Sequence, residues 1–287
     1  VYIRFERHEE GAAALSSPSG PWPPPVDSSP PDMAPLPSEA VPDENPVWNT
    51  WDVVFIVLAT LGSAILFPLS VAVGAKFLVF RDLDLVTVAQ KPTIALTAQV
   101  LISLAVVVFM VVLVRVYHRT ALLPAIRWNW PGKRWFIFVG SGVLLYLAIQ
   151  GLGRVLPLPK TSLPIDQFFR TTLDAYLLSA IAVSIGPLVE ELFFRGFLYP
   201  LLARSLGQWP AILLTGFGFG LIHTLQLGKA WAPVFLIFVV GVVLTTVRAK
   251  TKSVAASFLV HVGYNGALSV LLFAATGGFR HLEMLNR

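Results

Sequence analysis

The chain has 287 residues and a mass of 31.3 kDa; 55% of its residues are hydrophobic, 13% are charged, and the mean hydropathy is +0.72. Soluble domains carry roughly 25% charged residues, so a water-soluble globule is excluded. The net charge of +5 and pI of about 9.6 come from basic residues set singly or in small groups between long apolar runs, a membrane pattern rather than a nucleic-acid-binding one. No cysteine is present, which excludes a disulfide framework, thiolate-bound zinc, an iron–sulfur cluster and a cysteine nucleophile.

Residues 1–46 hold 11 of the 22 prolines and 8 of the 16 acids. Such a segment cannot bury enough apolar surface to offset its ordering entropy, so a disordered Pro-rich tail is expected there. The first apolar run lacks the short basic leader of a cleaved signal peptide and reads as a permanent span.

From 47 to 287 the chain reads as a transmembrane helical domain. Apolar runs near 52–75, 93–117, 135–155, 174–205, 209–227, 231–248 and 254–277 are long enough for a hydrocarbon layer of ~30 Å. The expected fold is therefore all-α, a polytopic bundle of seven to eight helices in an integral multi-pass membrane protein. The fourth run would measure ~48 Å as one straight helix. Gly186-Pro187 lies inside it, where a break or kink is expected. Trp128, Trp130 and Trp135 interleave with Arg127, Lys133 and Arg134, as at a headgroup interface. The basic connections 115–134 and 248–252 fall on one side by crossing parity, the cytoplasmic side on the positive-inside rule.

Eight acids remain outside the tail, and of these Glu190 and Glu191 lie deep in an apolar run. A central acid costs about 2.5–3.5 kcal/mol on insertion scales, so such residues face the bundle interior and line a site or pathway. The alternative is that both cap a helix beginning at Pro187, with its positive dipole end nearby. Glu191 and Arg195 are four apart in acid-first order and can pair on one helix face. Glu190 points ~100° away and is left as the candidate general base. For Arg195 the rival role is an interfacial anchor.

Of five histidines, His223 and His261 sit within spans. Phe219 is four before His223 and can pack on its ring, and Asn265 is four after His261 on the same face. One buried histidine is ordinarily a hydrogen-bonded core residue. Two of them with an amide and an acid pair, on three spans, supply a base, a proton carrier and neutral donors for adding water to a carbonyl. Gly216, Gly218 and Gly220 lack the strand–turn–helix setting of a dinucleotide loop and read as helix packing.

Glu190-Glu191-Leu-Phe-Phe-Arg195, Phe219-Gly-Leu-Ile-His223 and His261-Val-Gly-Tyr-Asn265 resemble, in order, the three motifs of the CAAX protease and bacteriocin-processing family, also called Abi or type II CAAX prenyl endopeptidases. The resemblance spans about 173–277, the expected catalytic core. It implies an intramembrane endopeptidase, a hydrolase that opens a peptide bond near the bilayer surface. Glu190 would activate water with His223, His261 and Asn265 would hold the oxyanion, and Glu191, Arg195 and Phe219 would support them. The expectation is a glutamate mechanism without a metal cofactor. The alternative is zinc held by Glu190, His223 and His261, whose ligands would converge from three helices. The expected partners are a peptide or membrane-protein substrate and the lipid bilayer, without nucleic acid, and the expected location is the bacterial cell membrane. The rival functions are a non-catalytic scaffold or immunity protein and a proton-coupled transporter. A serine nucleophile in a G-x-S-x-G setting and paired intramembrane aspartates are both absent, against rhomboid-like and presenilin-like chemistry.

Overall fold

The structure, a computed structural model, describes residues 44–159 and 163–286. The expected disordered tail lies outside the described residues as far as position 43. Residues 44–46, also assigned to that tail, belong instead to the folded body. Glu44 is buried among basic side chains, and the Pro46 carbonyl accepts a hydrogen bond from Arg204 Nη1 at 3.2 Å. A buried ion pair and a used backbone acceptor fix this short stretch despite its tail-like composition.

Helix α1 (Thr50–Leu78) begins where Asn49 Oδ1 accepts the backbone N–H groups of Trp51 and Asp52, while Asp52 Oδ2 accepts that of Asn49, a reciprocal cap. Asp52 also meets His118 Nε2 at 3.0 Å. A short helix α2 (Leu85–Ala89) follows, then α3 (Pro92–Val112), prolonged by a wide turn over Leu113–Tyr117. After α4 (Leu122–Ala125) come α5 (Trp135–Gly153), α6 (Thr172–Val183), α7 (Ile185–Glu191), α8 (Tyr199–Leu206), α9 (Gln208–Ile222), α10 (Trp231–Thr251) and α11 (Val254–Ala275). Large apolar side chains such as Leu58, Ile65, Leu144 and Phe217 point outward, as expected where lipid is the solvent.

Among the described residues six helical stretches are long and apolar enough to cross a membrane: 50–78, 92–117, 132–153, 172–206, 231–251 and 254–275. The chain is an integral multi-pass membrane protein. The crossing expected over 209–227 is shorter than its apolar run, since α9 has 15 residues and extends ~22 Å. It still leads the chain from one end of the bundle toward the other. The two basic connections meet, with Val254 N–H on Arg127 O at 3.0 Å and Asn129 Nδ2 on Lys252 O at 2.8 Å. The end of α8 reaches the same side through Arg204, so α9 must leave it for α10 to return.

The over-long fourth run breaks as its length requires, two residues ahead of Gly186-Pro187. Ser184 leaves helical geometry at φ −122°, ψ −90°, and its hydroxyl donates back to Ala180 O at 2.5 Å. Gly186 and Pro187 then fall in the first turn of α7, where the missing proline N–H costs no hydrogen bond. A π-helical turn over Leu192–Leu198 joins α7 to α8, and such turns redirect side chains at functional sites.

Glycines set the spacing of the helices that carry the site. A Cβ on Gly142 of α5 would lie 2.1 Å from Val260 O, and one on Gly263 of α11 would lie 2.2 Å from Val139 O. Likewise, Gly216 meets Val242 and Gly220 meets Phe238, so α9 packs backbone-close on α10. The two contacts draw α9, α10 and α11 around α7.

Candidate active site

Glu191 is fully buried at the end of α7. Its Oε1 accepts from Arg195 Nη1 at 2.8 Å and from His261 Nδ1 at 3.0 Å, and its Oε2 accepts from Ser257 Oγ at 2.6 Å. Arg195, equally buried, places its other nitrogens on Gly241 O at 2.8 Å and Thr245 Oγ1 at 3.3 Å. The Phe219 ring lies 4.6 Å from its guanidinium carbon. Both charges are therefore paired and hydrogen-bonded, the condition under which a buried ion pair persists. The expected pairing of Glu191 with Arg195 is realised. Neither rival role holds, because Arg195 has no exposure for an interfacial anchor and the two acids lie beyond the first turn of α7, which holds no acid.

Glu190, one position earlier, faces elsewhere. Its side chain is 27% exposed against 0% for Glu191. Oε1 lies 4.0 Å from His223 Nε2 and Oε2 lies 3.8 Å from His261 Nε2. Each ring is held by its other nitrogen. His223 Nδ1 donates to Phe219 O at 2.8 Å, and His261 Nδ1 donates to the Glu191 carboxylate. Those acceptors fix the tautomers, so that both Nε2 atoms turn toward Glu190. Phe219 packs on both rings, with centroids 4.9 Å from His223 and 5.7 Å from His261.

Asn265, one turn beyond His261, donates its Nδ2 to Ala182 O at 2.7 Å. That carbonyl belongs to the last turn of α6, ahead of the break at Ser184, and the bond locks α11 to the approach of α7. Of the seven sequence-derived residues, the structure gathers Glu190, Glu191, Arg195, Phe219, His223 and His261 in one contact network and sets Asn265 at its edge.

A cavity of about 320 Å³ opens beside Glu190 and His223. Val57 and Leu61 of α1 and Ile102 and Val106 of α3 form one apolar wall, and Val189, Phe193, Phe194 and Ile222 line the side that carries the acid, giving the mostly apolar concavity of a ligand site.

Zinc would have to draw Glu190, His223 and His261 closer together than they stand. Tetrahedral ligands at ordinary zinc bond lengths stand about 3.3 Å apart, less than either Glu190–histidine separation. Among the described residues no three histidine, aspartate or glutamate side chains are grouped to hold a metal ion.

Sequence reading missed Ser257 and Thr245, which complete the Glu191–Arg195 network, and Gln99, which lines the cavity. Ser257 stands four before His261, a spacing that could have marked it. Gln99 is a polar residue inside an apolar run.

These features define the class: a membrane-embedded helical bundle with one solvent-reachable carboxylate set between two oriented imidazoles. Residues 172–267 match the family described as type II CAAX prenyl endopeptidase Rce1-like, the family whose motifs the three segments resemble. The chain is also similar to the UPF0177 protein YbdI of Lactococcus lactis subsp. lactis (strain IL1403), 32% identical over 108 residues. That alignment covers 38% of this chain and 55% of the relative. No solved structure matches.

Proposed function

We propose that the protein is an intramembrane endopeptidase in which Glu190 activates water with His223. The carrying observation is the bracketing of the Glu190 carboxylate by two imidazole nitrogens at 4.0 and 3.8 Å. Two acceptors 4.0 Å apart are spanned by one water at about 2.8 Å from each. Such a water donates one hydrogen to Glu190 Oε1 and one to His223 Nε2, and its lone pair is left for a carbonyl carbon. As the new C–O bond forms, Glu190 takes the proton, which then passes to the amine as the C–N bond breaks.

The oxyanion falls to His261 and Asn265. With its Nδ1 held by Glu191, His261 turns Nε2 toward the site, where that nitrogen donates to the oxyanion once it has taken up a proton. Asn265 has a second amide hydrogen beyond the one on Ala182 O. A well-placed donor of this kind is worth ~3–4 kcal/mol. The substrate is a peptide or a segment of a membrane protein entering the apolar cavity, and the bacterial source of the relative supports the cell membrane as its location. Glutamate chemistry of this form needs no metal.

Purified wild type in proteoliposomes should cleave a peptide panel that Glu190→Gln leaves intact, while both variants keep the same melting temperature. Equal turnover would overturn the assignment of Glu190. If neither cleaves, a scaffold, an immunity protein or a transporter replaces the protease. A metal chelator should leave wild-type turnover unchanged; loss restored by zinc would assign the metal mechanism instead.

A further inference from the structure

Gln99 lies in α3, within the apolar span 92–117, and lines the same cavity as Glu190 and His223. Gln99 is exposed, and its amide is poorly satisfied within the protein. Among the described residues its one side-chain hydrogen bond runs from Nε2 to Ser103 Oγ at 3.5 Å, the outer limit for such a bond. The amide oxygen accepts from none of them. An amide beside apolar walls without a protein partner is a ready binding group for a polar ligand that enters there.

The cavity itself suggests which. A peptide group in hydrocarbon must find partners for both its N–H and its C=O. A segment that unwinds to bring one bond to Glu190 loses its internal partners at that point. A glutamine amide offers one donor face and one acceptor oxygen, the complement of a peptide group. It does so without a full charge, which would be costlier to place there.

Resting on the endopeptidase reading, we propose that Gln99 binds the main chain of an unwound peptide substrate beside the scissile bond. Ser103, buried one turn further along α3, orients the amide. The apolar residues of α1 and α3 receive the flanking side chains. All of these positions precede residue 172, where the match to the endopeptidase family begins. The wall of the cavity opposite Glu190 therefore comes from spans outside that match, and α1 and α3 contribute to which sequences are cut while α7, α9 and α11 do the cutting.

The test uses the full chain in proteoliposomes with a fluorescence-quenched apolar peptide of about 20 residues, long enough to span the bilayer. In a series of this peptide, each main-chain amide near the cut is replaced in turn by an ester, which deletes one N–H. With wild type, one ester should raise KM about tenfold, a typical single hydrogen bond, with kcat within about twofold. In Gln99→Met, KM for the all-amide peptide should rise by at least the same factor, because both the donor and the acceptor are lost, and that ester should cost nothing further. Melting temperature establishes that the variant is folded, with Gln99→Leu as the second choice. An unchanged KM in Gln99→Met, or an ester effect that persists in full, overturns the proposal. If wild type cleaves no more than Glu190→Gln, the endopeptidase reading fails separately. Binding of the uncleaved peptide, read by fluorescence, then still decides the matter: a tenfold loss in Gln99→Met supports main-chain binding and no loss overturns it.

Discussion

Glu191 and His261 are joined at 3.0 Å through Nδ1, which leaves the opposite nitrogen of the same ring 3.8 Å from Glu190. The two adjacent acids thus divide the labour: one is sealed and orients an imidazole, and the other is reachable and faces it. Ser257 Oγ supports the sealed acid at 2.6 Å. Ser257→Ala should cost about 1.5–3 kcal/mol, the usual worth of a hydrogen bond to a charged group, and lower the melting temperature. Turnover by the folded fraction should survive, because Glu190 and His223 are not touched. A variant as stable as wild type would mean that Arg195 and His261 alone satisfy the Glu191 carboxylate.

Removing the cation is more severe. Arg195→Ala leaves Glu191 charged and buried beside an emptied guanidinium site. Breaking one side of a buried pair costs about 3–5 kcal/mol. The yield of monodisperse protein on size-exclusion chromatography should fall sharply. Arg195→Lys should rescue it only in part, since one ammonium cannot reach Glu191, Gly241 O and Thr245 Oγ1 in the fixed geometry of the guanidinium fork. Wild-type yield for Arg195→Ala would show that the pairing is dispensable.

The glycine contacts between α5 and α11 connect packing to chemistry. Gly263 is two residues from His261, and a Cβ there would enter the Val139 carbonyl. Gly263→Ala must push the helices apart, at a cost of roughly 1–3 kcal/mol for overpacking. His261 moves with α11 away from Glu190, so specific activity should drop more than folded yield does. Gly62→Ala in α1, where nothing lies within 4 Å of the new methyl, serves as the control. If Gly263→Ala matches that control in activity, the close approach does not position His261.

How much of this was legible in the chain depended on sequence distance. The Glu191–Arg195 pair and the Phe219–His223 contact follow from four-residue spacing on one helix, and both are present. The break in the fourth run followed from its excess length, although Ser184 takes the break before Gly186-Pro187. The link from His261 to Glu191 joins residues 70 apart and depends on which helices the glycines bring together, which periodicity does not encode. Asn265 shares a face with His261 as expected, yet its amide goes to Ala182 O, because a broken helix presents a free carbonyl at that place. Glu44 was hidden by the composition around it: one acid in a Pro-rich stretch looks solvated until Arg127, Arg248 and Lys252 are seen to converge.

That convergence carries the last prediction. Glu44 Oε1 meets Arg248 Nη1 at 2.9 Å and Arg127 Nη1 at 3.1 Å, with Lys252 Nζ at 3.8 Å, and Oε2 meets Arg248 Nη2 at 3.2 Å. Arg127 and Lys252 are about one-third exposed at the side chain, where solvent screens their share. Arg248 is not. At 1% exposure its guanidinium depends on the two-pronged contact with Glu44. Glu44→Ala should therefore cost about 3–5 kcal/mol, most of it the penalty of an uncompensated buried cation. The double variant Glu44→Ala/Arg248→Ala removes that cation and should be less destabilised than the sum of the two single variants. Melting temperatures of the four proteins in one detergent close the cycle. Additive losses would show that the two side chains do not interact, and that Trp48, whose indole N–H bonds Phe197 O at 3.0 Å, holds the approach to α1 without them.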